Sequence, residues 1–263
     1  FPNPQAEDIA KLLDEERGRG AVRSALHGIP LVIKDNIDTA DEMMTSAGSL
    51  ALDGSRAQRD AHLVSRLRAG GAIILGKSNL SEWANFRSTR SCSGWSSRGG
   101  QVRNSYFVDR TPGGSSSGSA VAVARGFCAG AVGTETDGSI VVPAAMNSLV
   151  GIKPTVGLIS RTGIIPISHS QDTAGPIAKS VTDALTILAV LMGHDVDDTS
   201  TKVFSNNVHH NFLGSLNPKA LEGKRIGVVR NFSRFQESVE KVFEDSLAII
   251  KSAGAEVIDG IVL

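Results

Sequence analysis

The sequence has little cysteine and few aromatic residues, and it carries no excess charge of either sign. Only Cys92 and Cys128 occur among 263 residues, too few for a disulfide framework and wrongly spaced for zinc, so we expect two reduced thiols. The 27 basic residues balance 27 acidic ones, which argues against nucleic acid or an anionic membrane as a partner. Aromatic residues make up 5% of the chain, which argues against a binding site built from many aromatic rings.

Long hydrophobic runs are also missing. The longest apolar stretch, ALTILAVLM at 184–192, is about half of a membrane span, and the first residues lack the basic and apolar regions of a signal peptide. These absences favour a cytoplasmic location without a membrane span. Residue 1 is not Met, and the last residues predict a strand with no turn after it, so we expect a portion of a longer protein. The oligomeric state is not indicated.

Glycine is abundant, with 28 residues, and helix and strand patterns alternate along the chain. The patterns predict helices at 5–17, 60–69, 78–86, 116–128, 180–193 and 235–252, and strands at 29–33, 72–75, 129–134, 224–229 and 255–262. This alternation favours an α/β fold with a mixed, largely buried central β-sheet flanked by helices and incomplete at its ends. Residues 87–114 predict a long loop of the kind that is usually functional, and 194–221 a polar surface excursion.

Two short motifs match known sites but occur in the wrong context. Gly71–Ser78 matches the phosphate-binding loop pattern, yet a helix precedes it and its four intervening residues are a strand. Gly114–Gly118 matches a nucleophile elbow centred on Ser116, yet the segment before it contains Pro112 and cannot supply a buried central strand. We therefore expect neither nucleotide binding nor an elbow-type hydrolase.

Three separated segments make chemical sense together. Lys34 follows the apolar run IPLVI, and burial there would lower its pKa and make it a candidate general base. Pro112 is followed by two glycines and a run of serines. In Gly133–Pro143, a turn at Gly138 precedes Ser139 and lets several backbone N–H groups point to one oxyanion. A lysine, a relay serine and a nucleophilic serine form a chain for acyl transfer.

These segments resemble the amidase signature family. The similarity is carried by HGIPLVIKDNID at 27–38, TPGGSSSGSAVAVA at 111–124, GTETDGSIVVPA at 133–144 and VGIKPTVGLISRTGIIP at 150–166. Within the family, GTETDGSI together with LSEWANFR and GWSSRGGQVRN looks most like the peptide amidase branch and its plant and fungal relatives. The resemblance implies an amidase signature domain over 1–263, which is the N-terminal catalytic portion with its signature core at 27–180.

The resemblance also implies an activity and its residues. The activity is hydrolysis of the C–N bond of carboxamides, including C-terminal peptide amides, through an acyl-enzyme and without a metal or cofactor. By motif position, Lys34 is the base, Ser115 the relay serine after a cis peptide bond, and Ser139 the nucleophile. The expected oxyanion hole consists of the backbone amides of Thr136, Asp137, Gly138 and Ser139. Expected substrate contacts come from Ser116 and Trp95, with Trp83 and Phe86 as further pocket candidates.

Three positions depart from the family's commonest signature, GTDTGGSIR. Glu135 stands for Asp, Asp137 for Gly and Val141 for Arg. The peptide amidase branch looks similar at these positions, so we interpret the departures as marks of a subfamily. Two other hypotheses stay open. One is the glutamyl-tRNA amidotransferase component that resembles this family, which the same departures disfavour, and the other is a catalytically silent fragment of an amidase.

Overall fold

The computed structural model describes residues 1–206, 211–232 and 236–262, and it divides into two compact units, Phe1–Leu213 and Gly214–Leu263. The helices of the first unit are α1 (Ala6–Gly18), α2 (His62–Ala69), α3 (Ser117–Ala124), α4 (Val141–Met146) and α5 (Val181–Leu191). Its strands are β1 (Pro30–Lys34), β2 (Ile73–Ser78), β3 (Trp95–Ser96), β4 (Gly100–Gln101), β5 (Gly130–Glu135), β6 (Val150–Gly151) and β7 (Thr173–Ala178).

A five-stranded mixed sheet forms the centre of the first unit, in the order β2-β1-β5-β7-β6. Strand β1 is parallel to both β2 and β5, whereas β7 is antiparallel to β5 and β6. The predicted α/β class with a mixed, largely buried sheet is therefore confirmed. Every residue of β5 and of β7 is buried, which explains why the central strands lack a polar face.

Helices cover both faces of this sheet. Successive residues of a strand point to opposite faces, so Val132 packs with α2 and α5 whereas its neighbour Ala131 packs with α3 and α4. In β7, Ala178 likewise packs on the side of α2 and α5, and Ile177 packs on the side of α3 and α4. The result is a helix–sheet–helix sandwich. The edge of the sheet at which β1 and β5 end can carry a site.

The predicted helix at 78–86 is wrong. Strand β2 continues to Ser78, and a single 3-10 turn follows at Glu82–Asn85, with positive φ at Trp83 and Ala84. Long-range hydrogen bonds take the place of helical ones, because the backbone N–H of Trp83 donates to Ala47 at 2.9 Å. Tertiary pairing here overrides the local apolar spacing.

Several short elements escaped prediction. Strand β7 contains Gly175 and Pro176, which are typical of turns, yet it lies inside the sheet. Pro176 lacks an N–H group but still accepts a hydrogen bond from Ile152 through its carbonyl oxygen, at 3.1 Å. Helix α4 and strand β6 are too short for a periodic pattern. The predicted loop at 87–114 contains the β3–β4 hairpin and is otherwise irregular.

The second unit contains β8 (Arg225–Val229), α6 (Glu237–Ser252) and β9 (Glu256–Ile261). The two strands pair in parallel with each other and form a sheet of their own. The predicted helix matches α6 from residue 237, while residue 235 and part of the predicted excursion, 207–210, lie outside the described residues. Across the described ranges, every helix is too short or too polar to cross a membrane. Cys92 and Cys128 form no disulfide.

Candidate active site

Lys34 ends β1 and is completely buried. Its Nζ donates hydrogen bonds to the Ser115 hydroxyl at 2.7 Å and to the hydroxyl and carbonyl oxygens of Thr134 at 2.9 and 3.1 Å. Burial lowers the pKa of Lys34 to about 7, although the carboxylates of Glu135 and Asp172 act in the opposite direction. Near neutral pH a large fraction of this amine is therefore uncharged and able to accept a proton.

Sheet topology explains why Lys34 meets Thr134. Strands β1 and β5 are parallel neighbours, with Ile33 opposite Val132 in the register. The carboxyl ends of parallel strands meet at one edge of a sheet, so the last residue of β1 lies beside the end of β5. The two groups are 100 positions apart in the sequence.

The serine run crosses this edge just before α3. The peptide bond between Gly114 and Ser115 is cis, as the family resemblance implied. The next residue, Ser116, donates its backbone N–H to the carbonyl oxygen of Ser139 at 3.1 Å. Ser139 is 8% exposed, and within the described ranges its hydroxyl has no hydrogen-bond partner. The structure thus brings all three predicted catalytic residues to one edge of the sheet.

The loop that carries Ser139 is tied together by Glu135. Its carboxylate accepts hydrogen bonds from the backbone N–H groups of Gly138, Ile140 and Val141 at 2.9, 2.7 and 3.0 Å. Gly138 has a φ of +74°, a conformation that favours glycine. Its N–H group already donates to Glu135, so in this conformation Gly138 lacks the free N–H group that its expected role in an oxyanion hole requires.

The other three expected amides are free. Among the described residues, the backbone N–H groups of Thr136, Asp137 and Ser139 donate to no acceptor. The loop is held from the opposite side, since the Thr136 hydroxyl donates to Asp172 at 2.5 Å. Unpaired backbone N–H groups are rare in buried surroundings, and three of them around one serine are suited to bind an anionic oxygen.

The two expected substrate contacts are not supported. The Ser116 hydroxyl is buried and donates to the carbonyl oxygen of Thr134 at 3.2 Å, while accepting from its N–H group at 3.3 Å. Ser116 therefore holds β5 in place instead of facing a ligand. Trp95 lies under the Arg87 guanidinium, 4.8 Å from the ring centre, and lines neither of the cavities beside the site.

Two neighbouring cavities lie near the site, and the first of them is lined by residues of this loop. One, of about 310 Å³, is lined by Thr134, Glu135 and Thr136 together with the segment 161–173 and residues 197–199. The other, of about 300 Å³, is lined by Trp83 and Phe86 among others. The two share four lining residues: Asn36, Ile165, Pro166 and Ile167. Sequence reasoning missed Asn36 and Thr134, because the only local signal is their position within two of the motifs.

Comparison with known proteins identifies the family of the chain. The family model described as Amidase matches residues 1–260. The chain belongs to the amidase family. The native peptide amidase from Stenotrophomonas maltophilia has 52% sequence identity and a TM-score of 0.94, and the match covers 99% of this chain and 53% of that one. The fold prediction and the family resemblance are both confirmed.

Curated relatives give the same family with graded similarity. A protein from Arabidopsis thaliana named as a probable amidase is 46% identical over 251 residues, covering 94% of this chain and 49% of its own length. A glutamyl-tRNA(Gln) amidotransferase component from Streptomyces avermitilis is 38% identical over 253 residues, covering 95% and 48%. The chain therefore spans about half the length of the curated relatives it matches.

Proposed function

We propose that residues 1–263 form the N-terminal catalytic portion of a hydrolase that cleaves the C–N bond of linear carboxamides, including C-terminal peptide amides. The observation that carries the proposal is the 2.7 Å contact between Lys34 Nζ and the Ser115 hydroxyl, at a lysine whose pKa is lowered to about 7. Identity of 52% to a peptide amidase supports the substrate class.

The proposed reaction begins with proton transfer along three residues. Neutral Lys34 takes the Ser115 hydroxyl proton, and Ser115 takes the proton of the Ser139 hydroxyl as Ser139 Oγ bonds to the amide carbonyl carbon. The carbonyl oxygen becomes an oxyanion that the free amides of Thr136, Asp137 and Ser139 are suited to stabilise. Removal of one such donor typically costs about 3–4 kcal/mol of barrier.

The second half returns the proton. The Lys34 ammonium passes it back through Ser115 to the amide nitrogen, the C–N bond breaks, and ammonia or an amine leaves. Water then attacks the acyl-enzyme, giving its proton to the same relay, and releases the carboxylic acid and a regenerated Ser139. The relay works in both directions because the pKa of Lys34 lies near neutral pH.

The amidotransferase alternative has weaker support. Its example among the relatives is 38% identical, against 46% for the plant protein. Glu135 and Asp137 also depart from the commonest family signature, which has Asp and Gly at these positions. Hydrolysis is therefore the favoured function, and glutamine-dependent amide transfer the second.

A fluorophosphonate probe tests the proposal directly. The probe should form a bond to Ser139 Oγ with loss of fluoride, and mass spectrometry of peptides should locate the adduct. Ser139→Ala should abolish labelling, whereas Ser238→Ala, on an exposed part of α6, should leave it unchanged. A folded chain that does not react would favour a catalytically silent fragment. Labelling with no release of ammonia from amides would argue for a different acyl transfer.

A further inference from the structure

Lys34 lies against two hydroxyl groups, and a neutral lysine can satisfy them in two ways. A neutral amine has two N–H groups and one lone pair. The carbonyl oxygen of Thr134 can only accept, so it takes one N–H group. Of the hydroxyls of Ser115 and Thr134, one then accepts the other N–H group and the other donates to the lone pair. Proton transfer requires the lone pair to face Ser115, so the Thr134 hydroxyl must accept from Lys34 and send its own proton elsewhere.

Asn36 is the residue that can receive that proton. Asn36 is 3% exposed, and its carboxamide nitrogen donates a hydrogen bond to Thr134 Oγ1 at 3.0 Å. Its carboxamide oxygen is buried and has no hydrogen-bond partner among the described residues. A rotation of the carboxamide by 180° brings this oxygen to the same hydroxyl, where it accepts the Thr134 proton. The rotation thus exchanges the hydrogen bond that the nitrogen donates for one that the unpaired oxygen accepts, and it fixes the direction of the hydroxyl.

We propose that Asn36 is a positioning residue that acts through Thr134, directing its hydroxyl so that the lone pair of Lys34 faces Ser115. The inference rests on the proposed function, because it takes Lys34 as the base. The surrounding contacts hold the arrangement: Ser116 binds the backbone of Thr134 on both sides, and the carbonyl oxygen of Asn36 accepts from Ile165 at 2.9 Å.

The effect on proton affinity has a defined sign. The charged groups that act on Lys34 are Glu135 and Asp172, and both raise its pKa against the stronger effect of burial. The Thr134 hydroxyl also stabilises the ammonium form, because a charged donor strengthens the hydrogen bond. Removing the hydroxyl should therefore lower the pKa of Lys34 further. It should also slow proton transfer, because the lone pair of Lys34 is then no longer held toward Ser115.

The test is the rate at which the fluorophosphonate probe labels Ser139, measured against pH on the whole chain. Thr134→Val should lower the plateau rate roughly 10-fold and move the midpoint to lower pH. Asn36→Ala should lower the plateau roughly 5-fold, and the double variant should be no slower than Thr134→Val alone. Thr45→Val is the matched control, since it removes a hydroxyl from the second buried lysine, Lys77, and should change neither quantity.

A conservative variant separates positioning from folding. Asn36→Asp keeps the shape and an acceptor for the Thr134 proton, so it should retain the plateau and move the midpoint to higher pH. Additive losses in the double variant, or an unchanged profile in Thr134→Val, would overturn the inference while labelling of Ser139 leaves the proposed function standing. A folded wild-type chain that is never labelled overturns both.

Discussion

Two buried lysines lie at the same edge of the central sheet, and they differ in what surrounds them. Lys34 ends β1 and Lys77 lies near the end of β2, opposite Ile33 in the parallel register. Both are at most 2% exposed. Burial lowers both pKa values, to about 7 for Lys34 and about 8 for Lys77. Burial alone therefore does not mark a lysine as a base.

The partners make the difference. Lys77 donates to the carbonyl oxygens of Ile37 and Met44 at 2.5 and 3.4 Å, and to the Thr45 hydroxyl at 3.0 Å. Two of these partners are carbonyl oxygens that only accept, and four nearby aspartates favour the ammonium form. Lys34 instead contacts two hydroxyl groups, of which one begins a serine run beside Ser139. Lys77 ties a loop to the sheet, whereas the contacts of Lys34 fit its proposed role in exchanging a proton.

Replacement of each lysine by methionine should separate these roles with the largest effect. Lys34→Met should lower the labelling rate of Ser139 about 10³-fold or more, because the general base is lost. Lys77→Met should retain labelling while lowering the free energy of unfolding by about 2–4 kcal/mol, because two buried acceptors and one partly buried acceptor lose their donor. Urea denaturation measures the stability and gel fluorescence the labelling.

The opposite result in the two variants would contradict the roles assigned to the two lysines. If Lys77→Met abolished labelling in a chain of unchanged stability, Lys77 would belong to the reaction. If Lys34→Met reacted at the wild-type rate, the base would have to be sought elsewhere.

The pH dependence of the labelling rate should reflect the titration of Lys34 and not that of Lys77. The protonated amine cannot accept a proton, so the labelling rate should rise with pH through about 7 and reach a plateau above it. Below the midpoint the rate should fall about tenfold per pH unit. A stopped-assay profile from pH 5 to 9 measures this. The midpoint should be the same in Lys77→Met, and a midpoint that follows Lys77, near pH 8, would contradict the assignment.

Glu135 is one of two carboxylates, with Asp172, that raise the pKa of Lys34. Glu135→Gln removes a negative charge that raises the pKa of Lys34 and an oxygen that accepts from loop N–H groups. We expect labelling to slow roughly tenfold as the loop loses its order, with the midpoint at lower pH. The pH profile of the purified variant measures both.

Asp41→Asn provides the matched control. Asp41 acts on Lys77 instead of Lys34, so its replacement should leave the midpoint in place. Equal shifts in the two variants would mean that the midpoint reports overall charge and not the surroundings of Lys34.

The sheet could be predicted from the sequence where strands are buried on both faces. The runs before Lys34 and before Thr134 are continuous and apolar, so their strand character is local information. Strand β7 could not be recognised, because Gly175 and Pro176 are typical of turns and only pairing with β5 makes them extended. The helix expected at 78–86 failed for the same reason, since its backbone bonds with distant residues.

The site divides in a similar way. Lys34, Ser115 and Ser139 lie in specific motifs, and the structure brings them to one edge. The hydrogen bond from the Gly138 amide to Glu135 depends on how the turn between them closes, which no residue pattern encodes. The contact of Asn36 with Thr134 depends on the register of β1 against β5. The first contact depends on the conformation of a turn and the second on long-range pairing, whereas motif resemblance reports only which residues are present.

The smallest effect should come from Asp137, a carboxylate that lies near the reacting loop yet is exposed. Asp137→Asn removes its charge and keeps its backbone N–H group. A negative charge beside a developing oxyanion is unfavourable, but water and salt screen it, so labelling should accelerate only about twofold at low salt. The gain should vanish at high ionic strength, and Asp109→Asn in the 87–114 loop should show none. A tenfold change in labelling rate that persists at high salt would mean that a carboxylate without contact to Lys34 controls the site. Direct hydrogen-bond partners would then not explain the difference between the two lysines.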